Sequence, residues 1–172
     1  MHYLNGSGTP FNLNSHDMDN MLSQSANARK VYDAELVEAE AYASQLVNKP
    51  DGDYDIDSRK TSLGEFWPQD NIDWFIAIGR YVAWGKGVVH IKKNCTPTLD
   101  FKFEFRKRYQ WQVNLGKYTT IPIPLIHPKI TDEQMGEFNE AGMAKEFDII
   151  GEKTTVPLPM PPAQSPIPFS VP

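Results

Sequence analysis

The sequence has little cysteine and no long apolar run, and each shortage excludes a class of protein. Cys95 is the only cysteine among the 172 residues, so the chain forms no internal disulfide and no cysteine-rich zinc site. No apolar run approaches the roughly 18 residues that suggest a membrane span. The first residues, Met-His-Tyr-Leu-Asn-Gly, do not form a secretory signal peptide. If the domain works outside the cytosol, another part of a larger protein is expected to deliver it.

The chain also has fewer basic than acidic residues, and its histidines lack the spacing of metal ligands. The chain has 17 Lys and Arg against 22 Asp and Glu, a net charge of −5, which disfavours general nucleic-acid binding. No pair of histidines has a metal-ligand spacing such as His-Glu-x-x-His. We therefore predict no metal site, and no motif identifies a cofactor. The histidines are His2, His16, His90 and His127.

Alternating aspartates from Asp51 to Asp57 resemble a calcium-binding loop without satisfying its pattern. The sixth position is Ile56 where such a loop has glycine, and the twelfth is Ser62 where it has glutamate. The aspartates therefore predict a solvated strand edge. Residues 53–71 are otherwise polar and typical of a loop, with a short strand at 54–57.

The composition predicts one soluble domain followed by a proline-rich tail. Hydrophobic residues make up 40% of the chain and aromatic residues 12%, which suffices for one core. We predict a single domain over residues 1–156, with a helical part at about 15–48 and a β-rich part at about 72–151. Residues 157–172 hold seven of the 14 prolines. That content predicts a polyproline II tail that adds little to folding.

Two helices are predicted from apolar spacing and from capping residues. Apolar residues along one stripe from Tyr32 to Leu46 predict a helix at about 27–47, with Glu35 largely off that stripe. The run Thr-Asp-Glu-Gln at 131–134 is a capping box. It predicts a second helix at about 131–141, which Gly142 ends.

The centre of the chain predicts an antiparallel meander. A buried strand at 74–84, interrupted by Gly79, is followed by a hairpin turn at 85–87 and a second strand at 88–93. A third strand begins at Leu99, and a short strand at 147–150 closes the sheet. The predicted fold class is α+β, a mainly antiparallel twisted sheet or partial β-barrel with N-terminal helices and one C-terminal helix.

The third strand alternates regularly until one lysine interrupts the pattern. From Leu99 to Trp111 the apolar residues fall at every second position, which is typical of a half-buried strand. Lys107 takes an apolar position between Phe105 and Tyr109. An unpaired buried ammonium is costly, so we expect Lys107 to lie at the rim, to be paired, or to be turned outward by a bulge.

A basic cluster, defined as Arg106, Lys107 and Arg108, is the predicted functional site. Clustered charges on a sheet are usually solvated, and the alternative is phosphate or pyrophosphate binding, because guanidinium groups match phosphate oxygens. We expect Lys92 and Lys93 to join the cluster across the hairpin. Candidate catalytic residues are Arg108, Tyr109 and His127, and candidate ligand-binding residues are Arg106, Lys107 and Trp111. If these fail, the substitute set is acidic: Glu137, Glu140, Glu146 and Asp148.

Three segments resemble the toxin domains of the colicin M type. Residues 2–8, His-Tyr-Leu-Asn-Gly-Ser-Gly, are similar to the start of those domains. The central strands are similar too, above all the element Lys-Arg-Tyr-Gln-Trp at 107–111, and so is the segment at 142–147. The resemblance covers about half of the chain.

The resemblance implies an antibacterial toxin domain of mainly β architecture. Domains of this type hydrolyse a lipid-linked peptidoglycan precursor between lipid and pyrophosphate in the periplasm, with an Asp-x-Tyr-Asp element followed by His-Arg. Only Tyr109 matches that element, because Lys107 or Arg108 and Gln110 stand in place of the two aspartates. An enzyme of this kind would be a diverged phosphodiester or pyrophosphate hydrolase. A cognate immunity protein is an expected partner.

Two functions of different classes therefore stay open. One is a secreted or delivered toxin domain that acts on the cell envelope of a target bacterium, either by hydrolysis or by capture of a phosphate-bearing ligand. The other is a non-enzymatic binding or adaptor module whose proline-rich tail binds a partner protein.

Overall fold

Strands and helices are present in the combination that the sequence predicts, and the fold class is α+β. The structure is a computed structural model that describes residues 7–58, 61–109, 136–137, 139–143 and 145–160. The strands described are β1 (Phe11–Leu13), β2 (Gly52–Asp57), β3 (Ser62–Glu65), β4 (Arg80–Ile91), β5 (Thr98–Tyr109), β6 (Phe147–Thr154) and β7 (Leu158–Pro159). The helices described are α1 (Ser15–Gln24), α2 (Ala26–Ser44) and α3 (Ile72–Ala77).

The sheet is open and mostly antiparallel, with the β4–β5 hairpin at its centre. The strand order is β1-β6-β5-β4-β2, and of the strand pairs in the described part of the chain only β1–β6 is parallel. β2 and β3 follow one another along the same side of β4, and β6 and β7 do the same along β5. Each of the two long central strands therefore pairs, on the side away from the other, with two shorter strands that are separated by an interruption.

The core lies between one face of this sheet and the first two helices. The apolar residues of β5 from Leu99 to Phe105 are fully buried, which confirms the predicted alternation. Tyr32 of α2 packs edge-on against Phe101 and Phe103, with ring centroids 5.9 and 5.3 Å apart. We call this the inner face of the sheet and the opposite one the outer face.

The position of Glu35 corrects the predicted helix stripe. The buried residues of α2 are Ala28, Tyr32, Glu35, Ala39 and Ala43, so Glu35 lies inside that stripe and is only 2% exposed. The spacing of three and four residues is helical as predicted, but the buried stripe includes a carboxylate, Glu35, that the apolar pattern places largely off it.

The predicted strand at 74–84 is wrong in its first half, which forms α3. The Asn71 side chain caps this helix by accepting a hydrogen bond from the Trp74 N–H at 3.0 Å, and Asp73 lies in its first turn. Gly79 has a φ of +63°, a conformation that glycine adopts without steric cost and that commonly ends helices. Asn71 and Gly79 are signals for the start and end of a helix, but the apolar run between them by itself predicts a strand.

The predicted turn at 85–87 is also wrong, because β4 continues straight through it. Residues Arg80–Ile91 form one strand, so the predicted three-stranded meander is a two-stranded hairpin that turns at 92–97. The glycines are needed for close packing instead. A Cβ at Gly85 would lie 2.8 Å from the Phe101 ring and 3.3 Å from the Glu35 carboxylate.

The first residues of the predicted proline-rich tail are part of the sheet. Leu158 and Pro159 pair with the start of β5, and Met160 is 2% exposed and donates its N–H to the Pro97 carbonyl at 2.8 Å. The tail beyond residue 160 lies outside the described residues. So does most of the predicted helix at 131–141, of which the described residues 136–137 and 139–140 are helical.

Truncation of the tail should therefore depend on where the cut is made. We expect a chain ending at residue 157 to lose about 2 kcal/mol of unfolding free energy relative to one ending at residue 160, because the buried Met160 and the β7 pairing are lost. Chemical denaturation of both chains measures the difference. Equal stability would show that β7 contributes nothing to the fold.

Candidate functional site

The basic cluster lies at the C-terminal end of β5, which is a central strand of the sheet. Arg106, Lys107, Arg108 and Tyr109 are the last four residues of β5. They pair in an unbroken antiparallel ladder with residues 147–150 of β6. Trp111 and His127, the other predicted site residues, lie outside the described residues.

Strand alternation divides the predicted site between the two faces of the sheet. Arg106 and Arg108 are exposed on the outer face, whereas Lys107 and Tyr109 continue the row of Phe101, Phe103 and Phe105 on the inner face. The structure therefore brings the two arginines together on one side. It places the lysine and the tyrosine on the other.

Both arginines form ion pairs with carboxylates of β6. Arg106 Nη2 lies 2.8 Å from Asp148 Oδ2, and Arg108 Nη2 lies 3.0 Å from Glu146 Oε2. Arg108 Nη1 also lies 3.5 Å from Asp148 Oδ1. The Arg106 hydrogen bond lowers the pKa of the Asp148 carboxyl despite partial desolvation, and Arg108 lowers it further. The outer-face half of the cluster is thus locally neutralised.

Glu146 and Asp148 belong to the acidic set that the sequence could not place. β6 carries them to the arginines because Asp148 is directly opposite Arg108 in the ladder. The alternation of Phe147, Asp148 and Ile149 was the available signal, since it predicts that Asp148 faces away from the core. Glu137 and Glu140, also in that set, make no described contact with the cluster.

Lys107 differs from its neighbours because it has no acidic partner among the described residues. Its pairing with Ile149 is regular, so no bulge turns it outward, and it remains only partly exposed at the rim of the inner face. Burial lowers the pKa of its ammonium group, and the positive charge of Arg80 lowers it further. Of the three arrangements expected for Lys107, the rim position is the one observed.

Tyr109 and Phe147 form an aromatic pair beside Lys107. Their rings stack with centroids 5.1 Å apart and an interplanar angle of 22°. They are cross-strand partners on the inner face. Lys107 therefore lies between two aromatic residues, Phe105 and Tyr109, in the inner-face row of β5.

The predicted contribution of Lys92 and Lys93 is wrong. These lysines follow β4 at the hairpin turn, next to the His90–Thr98 pair, whereas Arg106 is opposite Val82. Eight residues of strand separate the two ends, which corresponds to about 27 Å. The basic residue that does lie near the cluster is Arg80, at the start of β4, and it is bound to Glu65 at 2.9 Å.

A second polar site, not predicted from the sequence, surrounds Glu35. Its carboxylate accepts hydrogen bonds from the hydroxyls of Ser58 and Ser62, the latter at 2.5 Å, and from the Gly85 N–H at 2.8 Å. Ser58 follows β2 and Ser62 begins β3, so the interruption of the edge strand turns both hydroxyls inward. A small cavity of about 60 Å³ lies beside Ser58 and Gly85.

The acidic strand agrees with its sequence interpretation as a solvated strand edge. β2 is an edge strand of the sheet, with Asp53, Asp55 and Asp57 exposed. Cys95 is a free, exposed thiol in the hairpin turn. Within the described ranges, no three His, Cys, Asp or Glu side chains are grouped to hold a metal ion. None of the helices described there is long and apolar enough to cross a membrane.

Comparison with known proteins gives no family for the chain. No protein-family model matches it, and no curated protein is significantly similar to it in sequence.

Proposed function

We propose that this chain is an antibacterial toxin domain that acts on the cell envelope by binding a phosphate-bearing ligand at the end of β5. The observation that carries the proposal is Lys107, a partly buried ammonium group without a carboxylate partner among the described residues. Such a group is stabilised by any anion that reaches it. A lipid-linked pyrophosphate precursor, as the sequence resemblance implies, has the required charge.

The surroundings of Lys107 support anion binding on the inner face more than on the outer face. Arg106 and Arg108 already bind Asp148 and Glu146, so a phosphate on the outer face would have to compete with two carboxylates. Lys107 has no such competitor among the described residues. Tyr109, next to it on the same face, is the one residue that matches the catalytic element of colicin M-type domains.

Hydrolysis is the less supported form of the proposal. Asp148, opposite Arg108 in the ladder, is a carboxylate that could act as a base, but its lowered pKa makes it a weak one, and it lies on the face opposite Tyr109. Capture of a phosphate-bearing ligand needs only the cation. A periplasmic toxin of either kind would be neutralised by a cognate immunity protein in the producing cell.

The second candidate is a binding or adaptor module. It is favoured by the ion pairs that Arg106 and Arg108 already form, and by the position of the last described residue of the tail, Met160, whose N–H donates to the Pro97 carbonyl beside the hairpin turn. That point is at the end of the hairpin opposite the basic cluster. A partner bound to the tail would therefore leave the cluster accessible.

Directed expression distinguishes these two functions. The chain is fused to a periplasmic signal sequence and expressed in a bacterial host, with the same chain without the signal as the control. The toxin proposal expects growth arrest only with the signal. Normal growth at matched periplasmic protein levels would contradict it and leave the adaptor function.

Replacement of Lys107 by methionine tests the site itself. We expect Lys107→Met to weaken binding of inorganic pyrophosphate by about tenfold or more, the value of a lost charge-assisted hydrogen bond, without loss of folding. Arg108→Ala should weaken it less, and Lys92→Ala, at the far end of the hairpin, should have no effect. Calorimetry measures all three.

The pH dependence of that binding has a defined sign. Because the pKa of Lys107 is lowered, its contribution to binding is present below that pKa and is lost as the pH rises through it, at a lower pH than for a lysine with the ordinary pKa. If Lys107→Met binds pyrophosphate as the unchanged chain does, the site lies elsewhere. Arg108→Ala and His127→Ala then test the other predicted catalytic residues.

A further inference from the structure

His90 lies between two aspartates on the outer face of the sheet. Its Nδ1 is 2.7 Å from Asp53 Oδ1 and its Nε2 is 3.2 Å from Asp100 Oδ2. Asp53 belongs to β2, His90 to β4 and Asp100 to β5, so the three side chains connect three adjacent strands. None of the three has a role in the proposed function.

Only the protonated form of His90 satisfies both contacts. A neutral imidazole has one N–H donor and one acceptor nitrogen, whereas an imidazolium has two donors. An ionised carboxylate can only accept hydrogen bonds. After deprotonation, one ring nitrogen would therefore direct a lone pair at a carboxylate, and that contact would become repulsive.

The charges around His90 make its proton important for β2. Asp53 and Asp55 on β2 and Asp100 on β5 project from the outer face around it, all negative. The nearest basic residue on the same face of β4 is Lys86, which is bound to Glu104 at 3.0 Å, and Lys92 follows just after β4 ends. Among the described residues, protonated His90 is thus the cation that contacts the acidic edge strand directly, through Asp53.

We propose that Asp53, His90 and Asp100 form a proton-operated clamp that holds the edge strand β2 against β4. Among the described strands, β2 has a sheet partner on one side only, and it leads directly into Ser58, whose hydroxyl binds the buried Glu35. Loosening of β2 would therefore reach the contact between the sheet and α2.

The direction of the pH effect follows from the pKa of His90. Its hydrogen bond to Asp53, and then that to Asp100, raise this pKa above the usual value. A group whose folded-state pKa is raised contributes stability that is complete below its unfolded pKa, about 6.5, and that is lost as the pH rises through the folded-state pKa. The clamp is closed below the folded-state pKa of His90 and opens as the pH rises through that pKa.

An NMR titration with amide exchange tests the clamp. We expect His90 to titrate at a higher pH in the full chain than in the Asp53→Asn, Asp100→Asn variant. We also expect the protection factors of the β2 amides, relative to those of β6, to fall several-fold between pH 5.5 and 8.5. In His90→Gln, the relative protection of β2 should be low and independent of pH.

Two outcomes would overturn the clamp. One is a His90 titration that the double asparagine variant leaves unchanged, which would show that the aspartates do not hold the proton. The other is a relative protection of β2 that does not change with pH in the full chain, or that changes equally in His90→Gln.

Discussion

Glu35→Ala is expected to lower the free energy of unfolding by about 3–4 kcal/mol, one of the two largest effects that we predict for a single substitution. The change removes an acceptor shared by three donors, the partly buried hydroxyls of Ser58 and Ser62 and the buried Gly85 N–H, of which the last also donates to Ser58 Oγ at 3.1 Å. Each buried donor left without an acceptor costs about 1–3 kcal/mol, reduced here because the serine hydroxyls can rotate toward other acceptors. Chemical denaturation measures the loss.

Two further substitutions make this prediction specific to the buried carboxylate. Glu35→Gln keeps the shape but turns an amide toward one of the donors, so we expect a smaller loss of about 1–2 kcal/mol. Glu38 lies on the same helix and is exposed, and Glu38→Ala should change stability by less than about 0.5 kcal/mol. Equal losses in Glu35→Ala and Glu38→Ala would show that the network does not connect α2 to the sheet.

Gly87→Ala is expected to destabilise the fold by about 3 kcal/mol, the upper part of the range for overpacking. A Cβ at this position would lie 2.6 Å from the Asp100 carbonyl oxygen and 2.8 Å from Leu99 Cδ1. The first of these atoms belongs to the backbone of β5, so relief requires the central strands to separate. Thermal and chemical denaturation both measure the effect.

Gly52→Ala is the matched control, because it places the same methyl group on another strand glycine. The nearest atom to a Cβ there is in the Tyr54 ring at 3.6 Å, an ordinary contact. We expect Gly52→Ala to be neutral or slightly stabilising. If Gly87→Ala is equally harmless, β4 does not pass beside β5 at this position. That result would favour the turn at 85–87 that the sequence predicts.

The fold class was predictable because its strongest signals are local and repeated. From Leu99 to Phe105, apolar residues on the inner face alternate with polar residues on the outer face, and all four apolar residues are buried. The helix at about 27–47 was found from its spacing in the same way, and the structure has it at Ala26–Ser44. Each pattern repeats several times, so one misleading residue does not change the prediction.

Errors occurred where a single residue type has two uses. Glycine permits a turn, and it also permits close approach of a strand to a side chain. Gly85 and Gly87 have the second use, which depends on neighbours that are distant in sequence. An apolar run such as 72–78 is likewise compatible with a strand or a helix. Here the Asn71 side chain caps and stabilises the helix.

The basic cluster was located from the sequence, but its chemistry depends on β6. The sequence identified the run Arg106 to Arg108 and the unusual position of Lys107. It could not pair either arginine with Glu146 or Asp148, because about 40 residues separate them along the chain and the ladder alone brings them together. In the sequence the three cations look alike. The tertiary structure distinguishes them, because it pairs the two arginines with carboxylates and leaves Lys107 without an acidic partner among the described residues.

The sequence by itself determined the class of fold, the burial of β5 and the place of the basic cluster, since these follow from the period of apolar residues along one segment. The tertiary structure alone decided that Glu35 is buried, that β4 runs through Gly85 and Gly87, and that His90 lies between Asp53 and Asp100. Each of these depends on which distant strand or helix lies alongside, and the free energy of that choice comes from the whole core rather than from any local pattern.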